Sequence, residues 1–303
     1  MSDVVVIGNA GSDTNVFLYG ADVDFSVEAN FSDTLDTVGQ AGGYSSRGYA
    51  ALGYDVAFIG HVGDDDNGRF VRATLAADGI DTRALLTDPA GTARSVNLMY
   101  RDGRRKNFYD GKGHMMLTPD AALCRDVLRG ARLAHVHLAN WARHLLPIAR
   151  ELGLVVACDL QDVVDPADPY RQDFIEAADI LFFSAANYDD PTPLIERFTA
   201  GRLERIIVVG MGARGCALGA NGAVRFFPPV ALDAPVVDTN GAGDSLAVGF
   251  LSSTVMDGYG LEDAIRRGQI AARHACTLRG TSDGLINRQR LDALFAERRA
   301  GRA

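Results

Sequence analysis

Seven consecutive residues, Asp238-Thr239-Asn240-Gly241-Ala242-Gly243-Asp244, carry the strongest chemical signal in this chain. Val236-Val237 are expected to end a strand, and Gly241-Ala242-Gly243 then to open a helix. Glycines at such a junction let backbone approach a ligand closely, and first-turn N–H groups have no helical partner. A helix N-terminus of this kind suits phosphate oxygens or a developing negative charge. Asp244 falls in the first turn, pointing at the same spot. A carboxylate beside an anion hole can take a proton from a substrate hydroxyl while the amides stabilise a transferring phosphoryl group. Taken alone, Asp244 could equally serve only to stabilise the start of a helix.

The elements that must position this motif show as apolar runs of strand length at Val4–Ile7, Val56–Ile59, Leu133–Leu138, Leu154–Cys158, Ile180–Phe183 and Ile206–Val209. Helical spacing lies between them, over Gly68–Ala77, Asp120–Leu128 and Trp141–Leu152. Unbroken apolar strands alternating with amphipathic helices indicate a parallel sheet covered on both faces. Two regions, Asn15 to Thr37 and Thr92 to Asp110, alternate polar and apolar residues instead, as in Val23-Asp24-Phe25-Ser26-Val27 and Ser95-Val96-Asn97-Leu98-Met99. That period predicts half-exposed antiparallel strands, hence a small β-sheet lid built from two insertions, at about 15–38 and 92–111. Beyond Asn240 the small apolar stretch Gly243 to Met256 predicts a buried helix, Leu261 to Cys276 a second, and Asn287 caps a last one through Leu291 and Leu294.

With 303 residues, 47% of them hydrophobic, the chain can fill one large α/β domain or two modest ones. A net charge of -9 argues against nucleic-acid binding through a basic surface. Cys124, Cys158, Cys216 and Cys276 form no CxxC pair, so neither structural zinc nor a disulfide framework is expected, and a reducing cytoplasm fits. The start, MSDVVVIGNAG, has no basic segment and a four-residue apolar run, which reads as a strand rather than a signal peptide. Nothing approaches the ~18 apolar residues of a membrane span.

The full string DTNGAGD, followed by Ser245 and LAVGFL, resembles the second signature of the PfkB/ribokinase family of carbohydrate kinases. Gly8-Asn9-Ala10-Gly11-Ser12-Asp13 resembles the family's first strand and its substrate-binding Asp. Gly39 to Gly53 with Gly60 to Gly68 resembles the first signature region, and Gly210-Met211-Gly212-Ala213-Arg214-Gly215 resembles the glycine turn of the nucleotide site. Four matches in the right order cover almost the whole chain. The resemblance implies a single domain over 1–303, an α/β ribokinase-like three-layer α/β/α sandwich with a mostly parallel central sheet and a β-sheet lid. It implies MgATP as donor and a sugar or nucleoside hydroxyl as acceptor. By position, Asp244 is the catalytic base and Gly241, Ala242 and Gly243 the anion hole. Asp13, Gly42 and Gly43 face the acceptor. Asp238 and Asn240 stand where members hold a monovalent cation such as K+.

The chain departs from that pattern on the acceptor side. The family's GGxGxN segment reads Gly39-Gln40-Ala41-Gly42-Gly43-Tyr44 here, so Gln40 replaces the second glycine and Tyr44 the sugar-binding Asn. A phenol in place of a carboxamide changes hydrogen bonding and shape. The family's Asn-x-x-Glu element near magnesium appears as Ser184-Ala185-Ala186-Asn187, which lacks the Glu. Base and anion hole are untouched.

Other patterns compete less well. Gly210 to Gly215 is formally GxGxxG, but Asn221-Gly222 marks a hairpin where a dinucleotide site needs a helix. Asp64-Asp65-Asp66-Asn67-Gly68 hints at a calcium loop, yet Leu75 occupies the twelfth position, so a loop and helix start are expected. His135 and His137 share one face of a strand and read as structural or substrate contacts, for want of a third metal ligand nearby. Asn140 and Trp141 follow at the strand's carboxyl end, where ligands gather in open sheets, so Asn140 is an acceptor-site candidate. Phe108 and Tyr109 either cover a sugar or base face or pack the lid. Arg105 and Lys112 could approach phosphate, although lid charges are usually solvated. Asp159 and Gln161 either touch nucleotide or solvate a loop.

The expectation is therefore an ATP-dependent kinase that phosphorylates a hydroxymethyl group of a sugar or sugar acid. The alternatives are a nucleoside kinase, with Tyr44 stacked on a base, and a non-catalytic ligand-sensing homologue. Neither nucleic acid nor membrane is an expected partner. A lid sheet with exposed apolar positions can pair with a second copy, so a homodimer through the lid is a further expectation.

Overall fold

The computed structural model describes residues 2–101, 104–280 and 282–300. The ends of the domain expected over 1–303, and two positions of the second lid insertion, lie outside the described residues. In chain order the strands and helices are β1 (Val4–Ile7), β2 (Gly11–Leu18), β3 (Ser32–Gly39), α1 (Gln40–Ala51), β4 (Val56–Val62), α2 (Asp66–Ala77) and β5 (Asp81–Thr87). Next come β6 (Arg94–Met99), β7 (Arg105–Asp110), α3 (Ala121–Leu128), β8 (Leu133–His137), α4 (Leu146–Glu151), β9 (Val155–Asp162) and α5 (Pro169–Ala177). The remainder is β10 (Ile180–Ser184), α6 (Thr192–Thr199), β11 (Ile206–Gly210), β12 (Cys216–Ala220), β13 (Ala223–Phe227), α7 (Ala242–Leu251), α8 (Leu261–Ala275) and α9 (Arg288–Ala300).

The apolar runs assemble into a nine-stranded sheet, ordered β13-β12-β11-β10-β9-β8-β1-β4-β5. It is parallel from β5 to β11 and antiparallel across β11, β12 and β13. Alternate residues of β1 enter different cores: Val4 and Val6 pack with α7, α8 and α9, whereas Val5 and Ile7 pack with the α3-to-α6 side. Burial on both faces is why these strands read as continuous apolar runs. The Gly210–Gly215 turn leads into the β12–β13 hairpin, closed by Asn221 at φ 51° and Gly222 at φ 73°. No dinucleotide-type helix follows it. Asp65 caps α2 by accepting from the Gly68 N–H at 2.7 Å, so the acidic run is a helix start.

The second sheet has four strands, ordered β3-β2-β6-β7, and forms the lid. It begins at Gly11, slightly earlier than the pattern suggested. Val23–Val27 is not a strand, contrary to its alternation. The Asp24 N–H donates to Asn30 Oδ1 at 2.8 Å, Asn30 Nδ2 donates back to Asp24 O, and the Ser26 N–H donates to Asp24 Oδ1. Local side-chain bonds replace a ladder there, the usual competition offered by Asp, Asn and Ser. The helix predicted from Trp141 starts as a tighter 3₁₀ turn, Asn140–Leu145, before α4. α7 widens into a π-type turn at Ser252–Met256. α7 packs against α8 through Gly249 and Gly268, where a Cβ on Gly249 would stand 2.9 Å from the Gly268 Cα. That close approach fixes how deep α7 sits and where its N-terminus points.

Candidate active site

The carboxyl ends of β8 and β9 meet the N-terminus of α7. His137 and Asp159 are in-register neighbours across β8 and β9. Ligand atoms of His137, Asp159 and Asp244 all lie within 4.8 Å of one another. His137 and Asp159 are buried, while Asp244 keeps a face open to the cleft although most of its carboxyl is enclosed. Enclosure, reinforced by the Asp159 charge, pushes the Asp244 carboxyl well above its ordinary range. Burial pushes Asp159 up to about 6, against the pull of the Gln161 N–H, and burial lowers His137 to about 3. Two carboxylates so close cannot both ionise cheaply, so the first to lose its proton holds the other back.

The 238–244 loop is folded by its own first residue. Asp238, buried, accepts from the Asn240 N–H at 2.8 Å and the Gly280 N–H at 3.0 Å, and from Asn240 Nδ2 at 3.4 Å. Gly241 then caps α7 in the left-handed region, φ 64° and ψ 3°. The Ala242 N–H reaches Thr239 O at 3.4 Å and the Ser245 N–H bonds Gly241 O at 2.8 Å. The amides of Gly241 and Gly243 donate to no acceptor among the described residues. Free donors at a helix start beside a carboxylate can receive an anion, and of the three amides expected to do so those of Gly241 and Gly243 are free while that of Ala242 is turned toward Thr239 O.

Asp13 lies on the opposite wall, on the lid strand β2. It is buried, and its Oδ2 accepts from the Tyr44 hydroxyl at 2.8 Å. Burial raises the Asp13 pKa, while Tyr44, the Gln40 N–H and Ser95 pull it back. Burial also holds the Tyr44 phenol well above its usual pKa, so it stays a donor. Tyr44 is only 6% exposed, so its ring is packed rather than open for stacking. Gly42 and Gly43 are buried in α1, with Gly42 against Asn9 O and Phe58. Gln40 adopts φ 67°, a left-handed backbone that glycine takes without strain and that costs a side-chain-bearing residue about 1–2 kcal/mol.

A row of carboxamides ties the lid to the loop. Asn107, Asn97 and Asn15 face each other across β7, β6 and β2. Asn107 Nδ2 donates to Asn97 at 2.8 Å, and Asn97 Nδ2 to Asn15 Oδ1 at 3.0 Å. Asn240 Nδ2 donates to that same Asn15 oxygen at 3.2 Å, and Arg105 on β7 donates to Asn240 Oδ1. The Arg105 guanidinium bears electrostatically on both Asp13 and Asp244. Tyr109 accepts from Asn9 Nδ2 at 2.8 Å, closing the lid edge onto the end of β1. Asn140 donates to Met115 O at 2.8 Å and so holds the segment after the lid.

A family model described as pfkB family carbohydrate kinase matches residues 1–288. The chain belongs to the pfkB family of carbohydrate kinases. It is 33% identical over 293 residues to the acarbose 7(IV)-phosphotransferase of an Actinoplanes species, covering 96% of this chain and 97% of that one. It is 30% identical over 249 residues to the ATP-dependent ribose-1-phosphate kinase of Halopiger xanaduensis, 78% of this chain and 81% of that one. Among solved structures, a microbiome-derived acarbose kinase superposes with a TM-score of 0.88 at 31% identity, covering 97% of this chain and 99% of that chain.

In this pfkB carbohydrate kinase the residues expected on the nucleotide side lie at and just beyond the carboxyl ends of β10 and β11. Gly210 ends β11, and Gly212 and Gly215 take φ 56° and 93° in the turn after it. Asn187 donates to Val163 O at 3.3 Å. Among the described residues, no helix is long and apolar enough to cross a membrane.

The positions of three residues at this site have no local sign in the sequence. His137 was open to a structural or a substrate contact and Asp159 to a nucleotide contact or a solvated loop, because nothing local shows that their strand ends meet α7. Arg105 was open to phosphate or to solvent, since the register that aims it at Asn240 is set by pairing across the lid. These contacts predict a pH response. A base at Asp244 must be ionised to take a proton, so the expected outcome is that kcat/KM falls as pH drops through its raised pKa. Asp159→Asn removes a charge that raises that pKa, and the acid limb of the profile, followed from about pH 5 to 9, moves to lower pH. An unmoved acid limb would separate Asp159 from the base.

Proposed function

We propose that this sugar kinase transfers the γ-phosphoryl group of MgATP to a hydroxymethyl group of a sugar or sugar acid held between Asp13 and Asp244. One observation carries the reading: Asp244 sits in the first turn of α7, beside Gly241 and Gly243 amides that no described residue claims. Asp244 takes the hydroxyl proton as the acceptor oxygen forms its bond to the γ-phosphorus. The bond from that phosphorus to the β–γ bridging oxygen breaks, ADP leaves, and Asp244 returns the proton to solvent. The amides and Arg105 face the charge that builds on the transferring group.

The donor set suits the metal. Asp159 offers a carboxylate, the hard oxygen that magnesium takes, whereas the unpartnered imidazole of His137 suits a hydrogen bond to its carboxylate neighbours better. Magnesium, when bound, neutralises phosphate charge. Asp238 already accepts three N–H bonds, leaving about one of its roughly four lone-pair sites for a monovalent cation. The enclosed Tyr44 ring favours a sugar over a nucleoside acceptor. Similarity to acarbose-phosphorylating enzymes supports a glycoside acceptor, with Phe108 and Tyr109, about half exposed, beside its further rings. Exposed Phe25 and Phe31 on the lid support a homodimer through that face.

The test is γ-labelled ATP with acarbose, maltose, D-glucose, D-ribose, ribose 1-phosphate, D-gluconate and adenosine, with the product position read by phosphorus–proton coupling. Label on a primary sugar carbon is expected. Adenosine as the preferred acceptor, or ADP release that no sugar stimulates, would overturn the proposal.

A further inference from the structure

The lid face that carries Asp13 also carries an unexplained carboxamide. Gly11 and Gly39 pair across β2 and β3, on the side of the sheet that bears Asp13 and Asn15. A Cβ on Gly39 would fall 2.1 Å from Asp13 Cγ, and a Cβ on Gly11 would fall 2.9 Å from Gln40 Nε2, besides meeting Ala93 O. The two missing side chains thus make room for the Asp13 carboxylate and for the Gln40 amide. That face looks toward the anion loop, because Asn15 meets Asn240 there.

The Gln40 side chain has no hydrogen-bond partner among the described residues. Its Nε2 and Oε1 are both enclosed and unbonded, and so is Asp13 Oδ1. Its backbone is left-handed at φ 67°, where glycine is the unstrained choice. A long polar residue at a strained position, with both polar atoms unmet by any described residue, points to a contact with a ligand. We propose that Gln40 is a specificity-determining residue: it binds an acceptor hydroxyl next to one held by Asp13 Oδ1, so the preferred sugar presents two neighbouring hydroxyls besides the one that reacts. A carboxylate that accepts and a carboxamide that both donates and accepts match such a diol. This inference rests on the acceptor site proposed above.

The experiment compares wild type with Gln40→Gly, using the best acceptor from the sugar panel and its monodeoxy analogues. One deoxy analogue is expected to lose about tenfold in kcat/KM on wild type and to show little further loss on the variant. The variant raises the KM for the parent sugar, keeps the KM for ATP within about twofold, and melts at or above the wild-type temperature because glycine relieves the strain. Equal losses for every deoxy analogue on both proteins, an unchanged sugar KM, or a clearly lower melting temperature would each overturn the role of Gln40. Wild type that phosphorylates no sugar in the panel would instead overturn the acceptor site itself.

Discussion

Asp244→Asn is expected to lower kcat by about 10³-fold while the variant still folds and binds ATP. An amide keeps the size and position of the side chain but cannot take the acceptor proton. The same substitution should stabilise the protein at neutral pH. In the folded chain the Asp244 pKa is raised, first by enclosure and then by Asp159. Below the ordinary carboxylate pKa the group is protonated in both states and costs nothing. Above it the unfolded chain ionises first, so wild-type stability falls as pH rises toward the raised folded value. The variant is spared that loss, so its melting temperature exceeds wild type at pH 7 and the gap closes in acid. A variant with less stability and unchanged turnover would make Asp244 a helix-start residue and no base.

Gly241→Ala should lower kcat by about 10²-fold, the scale expected when one anion-hole donor is misplaced. At φ 64° an alanine costs about 1 kcal/mol, and the strain is relieved by turning the peptide that feeds the first amides of α7. Gly243→Ala gives the comparison, since its φ is not left-handed and its Cβ would meet nothing within 4 Å. Stability there should hold or rise, as alanine favours helix. Loss of turnover at 241 with acceptor KM retained, measured with calorimetry alongside, would place the effect on the transferring group. Unchanged turnover in a folded Gly241→Ala protein would show that the amides do not hold charge.

The framework was legible because its signals are local. Continuous apolar runs such as Val4–Ile7 marked the central strands, and glycines beside Asp244 marked the start of α7. Asn287 was read as the cap of α9, and its Oδ1 does accept from the Arg290 N–H at 2.8 Å. Local signals failed where two of them conflicted: the alternation in Val23–Val27 lost to the Asp24–Asn30 bonds. The site was legible on its helix and loop, and illegible where separate strand ends meet. No spacing in the chain places His137 beside Asp159 and Asp244, or lines up Asn107, Asn97 and Asn15 on Asn240. Those contacts follow from sheet register, which the residues specify only once the whole sheet is assembled. Gln40 and Tyr44 stood out by type, but their meaning came from a backbone angle and a hydrogen bond.

The most direct measurement of phosphoryl transfer in this cleft is a crystal structure with a panel sugar and a non-hydrolysable ATP analogue bound together. The sugar's hydroxymethyl oxygen should lie within about 3 Å of the Asp244 carboxylate and in line with the terminal phosphorus, with the Gly241 and Gly243 amides on the phosphate oxygens. A sugar bound away from Asp13, or a hydroxymethyl group beyond reach of Asp244 in the closed complex, would contradict the assignment of Asp244 as the base.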